Sequence, residues 1–344
     1  MDSVSQFVLG AAVAEVCVGK KIGNRALLFG GIAGTIPDLD VITNLWLDEF
    51  TAMTLHRGFS HSIVFVLLAS PLFGWLWHKL SPVRRRVVSF REWTIMFAWC
   101  FGTHIALDCF TSWGTQVFWP LNYWVSTNSI FVADPLYTVP LILALLVILF
   151  LRRKNPVRRK INKWGLIVST SYLLLALVVK FFVNQSFKGS FAKEEMNIIH
   201  FETRPAPLNA ALWTVSAEAE DGYYLGYYSI FDEGNDIDYL FVPKQHEILD
   251  PIREDRMVKK VLKMTQGWYA VMPTDSCILV NDLRFGQPKG WKSEANEFVF
   301  QYQLWPQEDG SISVTAPQPP RPEPEEASEL LKAIFRRALG DKDA

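Results

Sequence analysis

Long apolar runs separated by short polar segments fill the first half of the chain, whereas apolar and polar positions alternate in much of the second half. Apolar runs of this length predict membrane helices, because about 20 apolar residues span the hydrocarbon core of a bilayer. The pattern predicts a retained N-terminal helix over 4–18 and a glycine-rich segment over 26–36, which suits close helix packing or a re-entrant loop. Four spanning helices are expected over 62–80, 93–110, 136–151 and 164–183.

Clusters of Arg and Lys give these helices a direction. The basic side chains concentrate in segments 84–91 and 152–163, which two predicted spans separate. Because basic loops stay on the cytoplasmic side of a membrane, both segments are expected there. The loops 37–61 and 111–135, and everything after residue 185, are then expected on the outer face.

The alternating pattern of the second half predicts an α+β domain. Residues 213–219 and 223–231 flank an Asp-Gly pair, which is a strong hairpin signal. A Pro-rich spacer leads to an amphipathic helix over 329–339, which could dock on its own domain, on a partner or on the membrane surface. The other elements expected here are a helix over 252–265 and strands over 268–273, 277–283 and 297–305.

The expected fold class is a membrane all-α helical bundle with a metal-binding core, followed by a C-terminal extracytoplasmic α+β domain. Its expected parts are 1–185 (the bundle), 186–315 (the α+β domain) and 316–344 (the spacer and last helix). A formal net charge of −1 argues against nucleic-acid binding, which needs a basic excess. The four cysteines contain no C-x-x-C pair, so they indicate neither a thiolate zinc finger nor a disulfide framework.

Two histidines lie directly before the apolar run 62–80. His56 and His61 are five residues apart, which separates them on a continuous helix. Gly58 offers a break, and Ser60 is predicted to cap a new helix with His61 in its first turn. Both imidazoles would then converge at the mouth of a membrane helix, where a metal ion is the leading reason for such groups.

Carboxylates accompany these histidines on the predicted outer side. Asp38 and Asp40 follow a proline and would point the same way in an extended or turn conformation. His104 and Asp108 stand four residues apart and therefore share one face of their helix. An aspartate at mid-helix in a membrane costs about 2.5–3.5 kcal/mol on insertion scales, so its presence needs a reason.

These segments reach the same depth at the outer face, so we expect their side chains to form one site. The predicted metal ligands are Asp38, Asp40, His56, His61, His104 and Asp108. Imidazole and carboxylate ligands without thiolates suit zinc first, with manganese or iron as alternatives, and six ligands allow more than one ion. Such sites activate a water and clamp a phosphoryl or acyl oxygen, so hydrolysis is the predicted reaction, with Asp40 taking the proton.

Two further charged residues have open interpretations. The planar fork of Arg57 could hold a substrate phosphate, which is its predicted catalytic role, or pair with Asp38 or Asp40 and hold the loop. Glu15, inside the first helix, could be a ligand, a proton carrier or the packed partner of a basic side chain.

The blocks GTIPDLDV, HRGFSHS and HIALDCFTSWG resemble the three signature blocks of the YdjM-like family, bacterial inner-membrane proteins to which metal-dependent hydrolysis is attributed. The resemblance covers residues 1–185 and implies the same six ligands. Many members carry a His where this chain has Gln6, so a ligand is missing or replaced by an amide oxygen. A more distant similarity of His-x-x-x-Asp and paired-His patterns points to zinc-dependent phospholipase C and P1-type nucleases.

The resulting prediction is a multi-pass inner-membrane hydrolase that acts on a phosphoester or related bond of a membrane lipid or envelope substrate, with its oligomeric state open. Two alternatives belong to other classes. One is a non-catalytic envelope interaction protein with a structural metal. The other is a protein that binds or moves an ion or solute, which symmetric internal repeats would favour; the sequence shows no such repeats.

Overall fold

The computed structural model of the protein describes residues 1–47, 49–81, 83, 86–316 and 323–343. Part of the first basic segment, Arg84 and Arg85, lies outside the described residues, as do residues 317–322 of the predicted spacer. The chain divides into two compact units, Met1–Leu177 and Val178–Ala344. The expected domain boundaries after residues 185 and 315 stay predictions.

The first unit consists mainly of α-helices. They are α1 (Ser3–Ile22), α2 (Asn24–Thr35), α3 (Glu49–Leu55), α4 (Ile63–Leu80), α5 (Phe90–Asp108), α6 (Pro135–Leu149) and α7 (Pro156–Lys193), whose residue range extends into the second unit. Two 3₁₀ helices lie between α2 and α4, and we call the longer one, Pro37–Leu45, the acidic 3₁₀ helix. The shorter one is the turn Phe59–His61.

Among the described residues, three helices are long and apolar enough to cross a membrane: α1, α4 and α7. Helix α2 and the acidic 3₁₀ helix meet the same criterion as a pair bent by 52°, which is the geometry of a broken span or a re-entrant loop. This agrees with the expectations for 62–80, 164–183 and the glycine-rich segment. The other two predicted spans are helices as well, but α6 has 15 residues and α5 is less apolar.

One side of helix α5 faces the interior of the first unit, whereas Ile95 and Trp99 on its other side are 41% and 60% exposed. It packs against α1, α2 and α4, and Trp93, Phe97 and Phe101 are buried along it. The side that other helices cover needs no apolar surface for lipid. It therefore tolerates the polar pair His104 and Asp108 that a lipid-facing helix would expose.

Glycines bring α1 and α2 into close contact. A Cβ atom on Gly34 would lie 2.5 Å from the carbonyl oxygen of Gln6, and one on Gly10 would overlap the backbone of α2. Small residues at such positions let two helix backbones approach closely. The packing places Gln6 and the Gly34 carbonyl beside the polar end of α5.

The second unit contains two four-stranded antiparallel sheets, each connected in sequence order. The strands of the first are β1 (His200–Pro205), β2 (Leu212–Glu218), β3 (Gly222–Ser229) and β4 (Tyr239–Pro243). Those of the second are β5 (Tyr269–Pro273), β6 (Ile278–Asp282), β7 (Phe300–Pro306) and β8 (Ile312–Thr315). Helices α8 (Arg256–Thr265) and α9 (Pro324–Ala338) complete the unit.

The predicted hairpin is β2 and β3, with Ala217 opposite Tyr224. The expected helix at 252–265 and the three expected strands are also present as α8, β5, β6 and β7. The sequence pattern missed β1, β4 and β8, because these segments are short or lack regular alternation. Helix α9 docks on its own unit, one of the three options left open: Ile334 and Ala338 are buried, and Arg337 forms a bidentate ion pair with Asp232.

Candidate metal centre

The acidic 3₁₀ helix presents its two aspartates on different faces. With three residues per turn, side chains two positions apart are separated by about 120°. The expectation that Asp38 and Asp40 point the same way is therefore wrong. Both still reach His61, because its ring lies between them: Nε2 is 3.2 Å from Asp38 Oδ1, and Nδ1 is 3.4 Å from Asp40 Oδ2.

The segment between α3 and α4 brings His56 and His61 to these aspartates. Helix α4 begins later than predicted. Ser62 caps α4 by accepting a hydrogen bond from the Phe65 backbone N–H at 3.1 Å, so His61 precedes the helix. The predicted cap, Ser60, instead donates its hydroxyl hydrogen to Asp40 Oδ2 at 2.7 Å. Arg57 in the same segment has φ of 59°, a left-handed conformation that residues other than glycine adopt mainly where the surroundings enforce it.

Four side chains from three segments converge on one point: Asp38, His61, His104 and Asp108. Five distances between their ligand atoms lie between 3.1 and 3.5 Å, from His61 Nε2 and His104 Nε2 to each other and to Asp38 Oδ1 and Asp108 Oδ2. Four ligands about 2.0 to 2.1 Å from a tetrahedral zinc ion stand about 3.3 Å apart. Five of the six spacings therefore match those of a tetrahedral coordination shell, and the two carboxylate oxygens lie within 4.8 Å of each other.

The Nδ1 atoms of His61 and His104 both take part in hydrogen bonds, which leaves the lone pairs of their Nε2 atoms facing each other. His104 Nδ1 donates to the Gly34 carbonyl oxygen at 2.6 Å. The hydroxyl hydrogen of Ser60 goes to Asp40, so Ser60 Oγ accepts from His61 Nδ1 at 2.9 Å. Each neutral ring then has an unprotonated Nε2, and the two atoms are 3.1 Å apart. Such a pair is stable only when a cation or a proton lies between them.

Asp108 provides a further acceptor without a donor. Its Oδ1 accepts from Gln6 Nε2 at 3.0 Å and contacts the Met1 amino group. Its Oδ2 is buried and has no hydrogen-bond partner among the described residues, and Arg57 Nε is 3.6 Å from it. A buried carboxylate oxygen left in this state is costly. The residues present therefore fit a bound divalent cation.

The remaining two predicted ligands lie beside the four. Asp40 accepts from His56 Nδ1 at 2.8 Å and from the Arg57 backbone N–H at 3.1 Å, in addition to Ser60. The His56 side chain is 26% exposed, against 0% for His61. The six predicted residues thus form an inner group of four and an outer Asp40–His56 pair, whose role as ligands stays a prediction.

Besides a bound cation, a proton on His61 would also compensate the negative charge of these carboxylates. Burial lowers the pKa of His61, but the nearby carboxylates of Asp108, Asp38 and Asp40 outweigh this effect and raise the pKa to about 10. A group whose charged form is favoured this strongly lies in a site built for positive charge.

Three residues with open interpretations have defined contacts. Gln6 directs its amide nitrogen, not its oxygen, at Asp108. Glu15 pairs with Arg158 at 2.7 Å and lies outside the four-residue group, which matches its interpretation as the partner of a basic side chain. Arg57 approaches Asp108 rather than Asp38 or Asp40, and it donates to Thr111 Oγ1 at 3.0 Å.

Sequence patterns could not identify all the contributors. The Gly34 carbonyl orients His104, but a backbone oxygen leaves no trace in residue identity. Thr111 lies three residues after Asp108, and this spacing was the one sequence feature that could have linked it to the site. The same position is equally typical of a residue that ends a helix. Ser60 was predicted to cap a helix, because a serine before an apolar run is usually a cap. Its hydroxyl instead bonds the side chains of Asp40 and His61.

The fold contains helices that are long and apolar enough to cross a membrane, and the site is a His/Asp cluster that could hold a metal ion. A sequence model of the YdjM inner membrane protein family matches residues 1–185, more than half of the chain. This chain therefore belongs to that family, in agreement with the resemblance of its three blocks and with an inner-membrane location. Neither a search of curated proteins nor a search of solved structures found a significant match.

Proposed function

We propose that this protein is a membrane-bound metal-dependent hydrolase that cleaves a phosphoester or related bond of a lipid or envelope substrate. The observation that carries the proposal is the convergence of four ligand atoms from Asp38, His61, His104 and Asp108. Two facing imidazole lone pairs and a buried carboxylate oxygen without a donor support cation binding at that point. An outer-face location for the second unit is part of the proposal and rests on the basic loops.

When bound, a divalent ion would activate a water and stabilise negative charge on a phosphoryl oxygen. Zinc is the first choice because it takes imidazole nitrogen and carboxylate oxygen at the required spacing, and manganese and iron accept the same donors. The four inner residues would hold one ion. More than one ion would require Asp40 and His56 as further ligands.

The Asp40–His56 pair is suited to move a proton at the open side of the site. Both oxygens of Asp40 already accept hydrogen bonds, so it positions His56 and His61. With its Nδ1 bound to Asp40, the more exposed His56 is free to take a proton at Nε2. A histidine oriented by a carboxylate is a common general base, so we assign the proton transfer to His56 rather than to Asp40.

Arg57 is suited to bind the anionic group of a substrate. Its side chain is buried, and its Nε has no hydrogen-bond partner among the described residues. It lies on the same side of Asp108 as the ligand atoms, with Nε 3.6 Å from Oδ2. A planar guanidinium at this place would stabilise charge on a phosphoryl group next to the ion.

The four-residue arrangement also favours one alternative, a structural metal in a non-catalytic envelope protein. Structural zinc sites are closed by four protein ligands, whereas catalytic sites keep one position open. Hydrolysis is supported by the partly exposed Asp38 and His56 and by the buried Arg57, which a purely structural ion would not need.

Metal analysis of the detergent-purified protein tests the proposal, followed by a screen of phosphoester and lipid substrates. We expect stoichiometric metal in the wild type and in His200→Ala, which removes an exposed histidine of β1 and serves as the matched control. His61→Ala and His104→Ala should each lose both the metal and the activity.

The results separate the two functions. Metal that disappears in both variants, without any metal-dependent hydrolysis by the wild type, would favour the structural alternative. Metal content that is the same in all four proteins would remove the basis of both.

A further inference from the structure

The partly exposed side chains of the candidate metal centre and its neighbours lie on the acidic 3₁₀ helix and at His56. Of the four ligands of the centre, Asp38 has a side chain that is 20% exposed, whereas His61, His104 and Asp108 are 0–1% exposed. The adjacent Asp40 and His56 side chains are 11% and 26% exposed. A substrate must therefore reach the centre past the acidic 3₁₀ helix.

The outer surface of this helix is apolar. Residues three apart eclipse each other in a 3₁₀ helix, so Leu39, Ile42 and Leu45 form one continuous face, which we call the apolar stripe. Their exposures are 54%, 50% and 73%. The stripe belongs to the bent pair of helices that is apolar enough to enter a membrane. An exposed apolar face of this kind beside a polar site is typical of contact with lipid.

The same region almost lacks basic residues. Arg57 is the only Lys or Arg between Arg25 and Lys79, and none occurs between Arg91 and Arg152. A soluble polyanion would find no positive surface to attract it, and electrostatic attraction is the usual way to concentrate such substrates. A molecule with one anionic group and a long apolar part suits the surface better.

We propose that the substrate is a lipid phosphate that enters laterally from the bilayer, with its phosphate at Arg57 and the metal centre and its hydrocarbon chain along the apolar stripe. This inference rests on the proposed function and names its substrate class. Continuity between the stripe and an apolar helix pair favours a lipid chain over a soluble protein or a second copy as the occupant.

Photocrosslinking tests the route without relying on hydrolysis. The zinc-loaded protein is placed in vesicles of phosphatidylethanolamine and phosphatidylglycerol that contain a trace of phosphatidic acid or of phosphatidylcholine, each with the same photoreactive chain. We expect the phosphatidic acid probe to label the apolar stripe roughly tenfold more than the phosphatidylcholine probe. A chelator should abolish the difference, and unlabelled phosphatidic acid should compete better than glycerol 3-phosphate.

A matched apolar face provides the control. Leu143, Leu146 and Leu149 also lie three apart and are exposed, but they belong to α6. Both probes should label them equally, with and without chelator. The triple variant Leu39→Gln, Ile42→Gln, Leu45→Gln should keep its zinc yet bind phosphatidic acid roughly tenfold more weakly, whereas the same three changes on α6 should leave that binding unchanged.

Failure of the inference is distinguishable from failure of the proposed function. Equal labelling by both probes while zinc is bound would show that the stripe contacts bulk lipid only, and it would overturn the lateral route while leaving metal-dependent hydrolysis intact. Equal competition by glycerol 3-phosphate would overturn it as well, since the hydrocarbon chain would then contribute nothing. A wild type that binds no zinc, manganese or iron would overturn both.

Discussion

Two buried acidic side chains of the first unit have opposite surroundings. Glu15 on α1 accepts hydrogen bonds at 2.7 Å from both Nε and Nη2 of Arg158. The Nη1 atom of that guanidinium donates to Asn24 Oδ1 and to two backbone carbonyls. Asp108 on α5 has an oxygen with no hydrogen bond, and three other ligand atoms face it.

This comparison gives a criterion that distinguishes structural from ligand-binding carboxylates in a membrane helix. Burial does not distinguish the two sites, because both carboxylates are almost completely enclosed. What distinguishes them is whether the protein supplies every partner. A closed ion pair between helices needs nothing more, whereas an incomplete one indicates a ligand.

The largest effect is expected at the closed site. Arg158→Ala would leave Glu15 buried without its partner and should lower the free energy of unfolding in detergent by about 3–5 kcal/mol. The metal content of the folded protein should not change. Arg159→Ala is the matched control, because this exposed neighbour should alter stability by no more than about 0.5 kcal/mol. Loss of metal in folded Arg158→Ala would contradict the separation of the two sites.

The next largest effect is expected at the incomplete site. Asp108→Asn removes the charge of one ligand and should weaken metal binding by more than about 100-fold, beyond the loss typical of an outer partner. The measurement is a competition titration against a chelator. Asp134→Asn is the control: this buried aspartate caps α6 and accepts a bond from Tyr172, so its loss should lower stability and leave metal affinity unchanged.

Substitution of two neighbouring serines should separate an effect on metal affinity from an effect on stability. Ser60→Ala removes the hydroxyl that orients His61 and Asp40, and metal affinity should fall about 10- to 100-fold. Ser62→Ala removes the cap of α4 and should cost about 1 kcal/mol of stability with no change in affinity. Equal affinities of the two variants for metal would show that Ser60 does not orient the site.

The smallest effect concerns protons. With a pKa of about 10, His61 carries a proton near pH 7 in the protein without a bound cation, and a metal ion must displace it. Affinity should therefore rise up to about tenfold per pH unit below pH 10, with about one proton released per ion. Calorimetric titration in buffers of different ionisation enthalpy measures this release, and metal uptake without proton release would contradict the assignment.

The helices and the central hairpin were predictable because they depend on local patterns. Apolar runs produced α1, α4 and α7, and the Asp-Gly turn located β2 and β3. Strands β1, β4 and β8 were not predictable, since pairing with neighbours stabilises them more than their own residues do. The polar pair of α5 likewise lies on the side that other helices cover.

The candidate ligands were recognisable from residue identity alone, because imidazoles and carboxylates are costly in apolar segments and stand out there. The sequence also determined where the apolar helices lie. Helix packing brings the ligand atoms of four of the six residues within 4.8 Å of one another and places Asp40 and His56 beside them. It also pairs Glu15 with Arg158. The physical reason is that these outcomes depend on distances between side chains, and these distances arise from helix packing and backbone geometry that residue spacing does not encode.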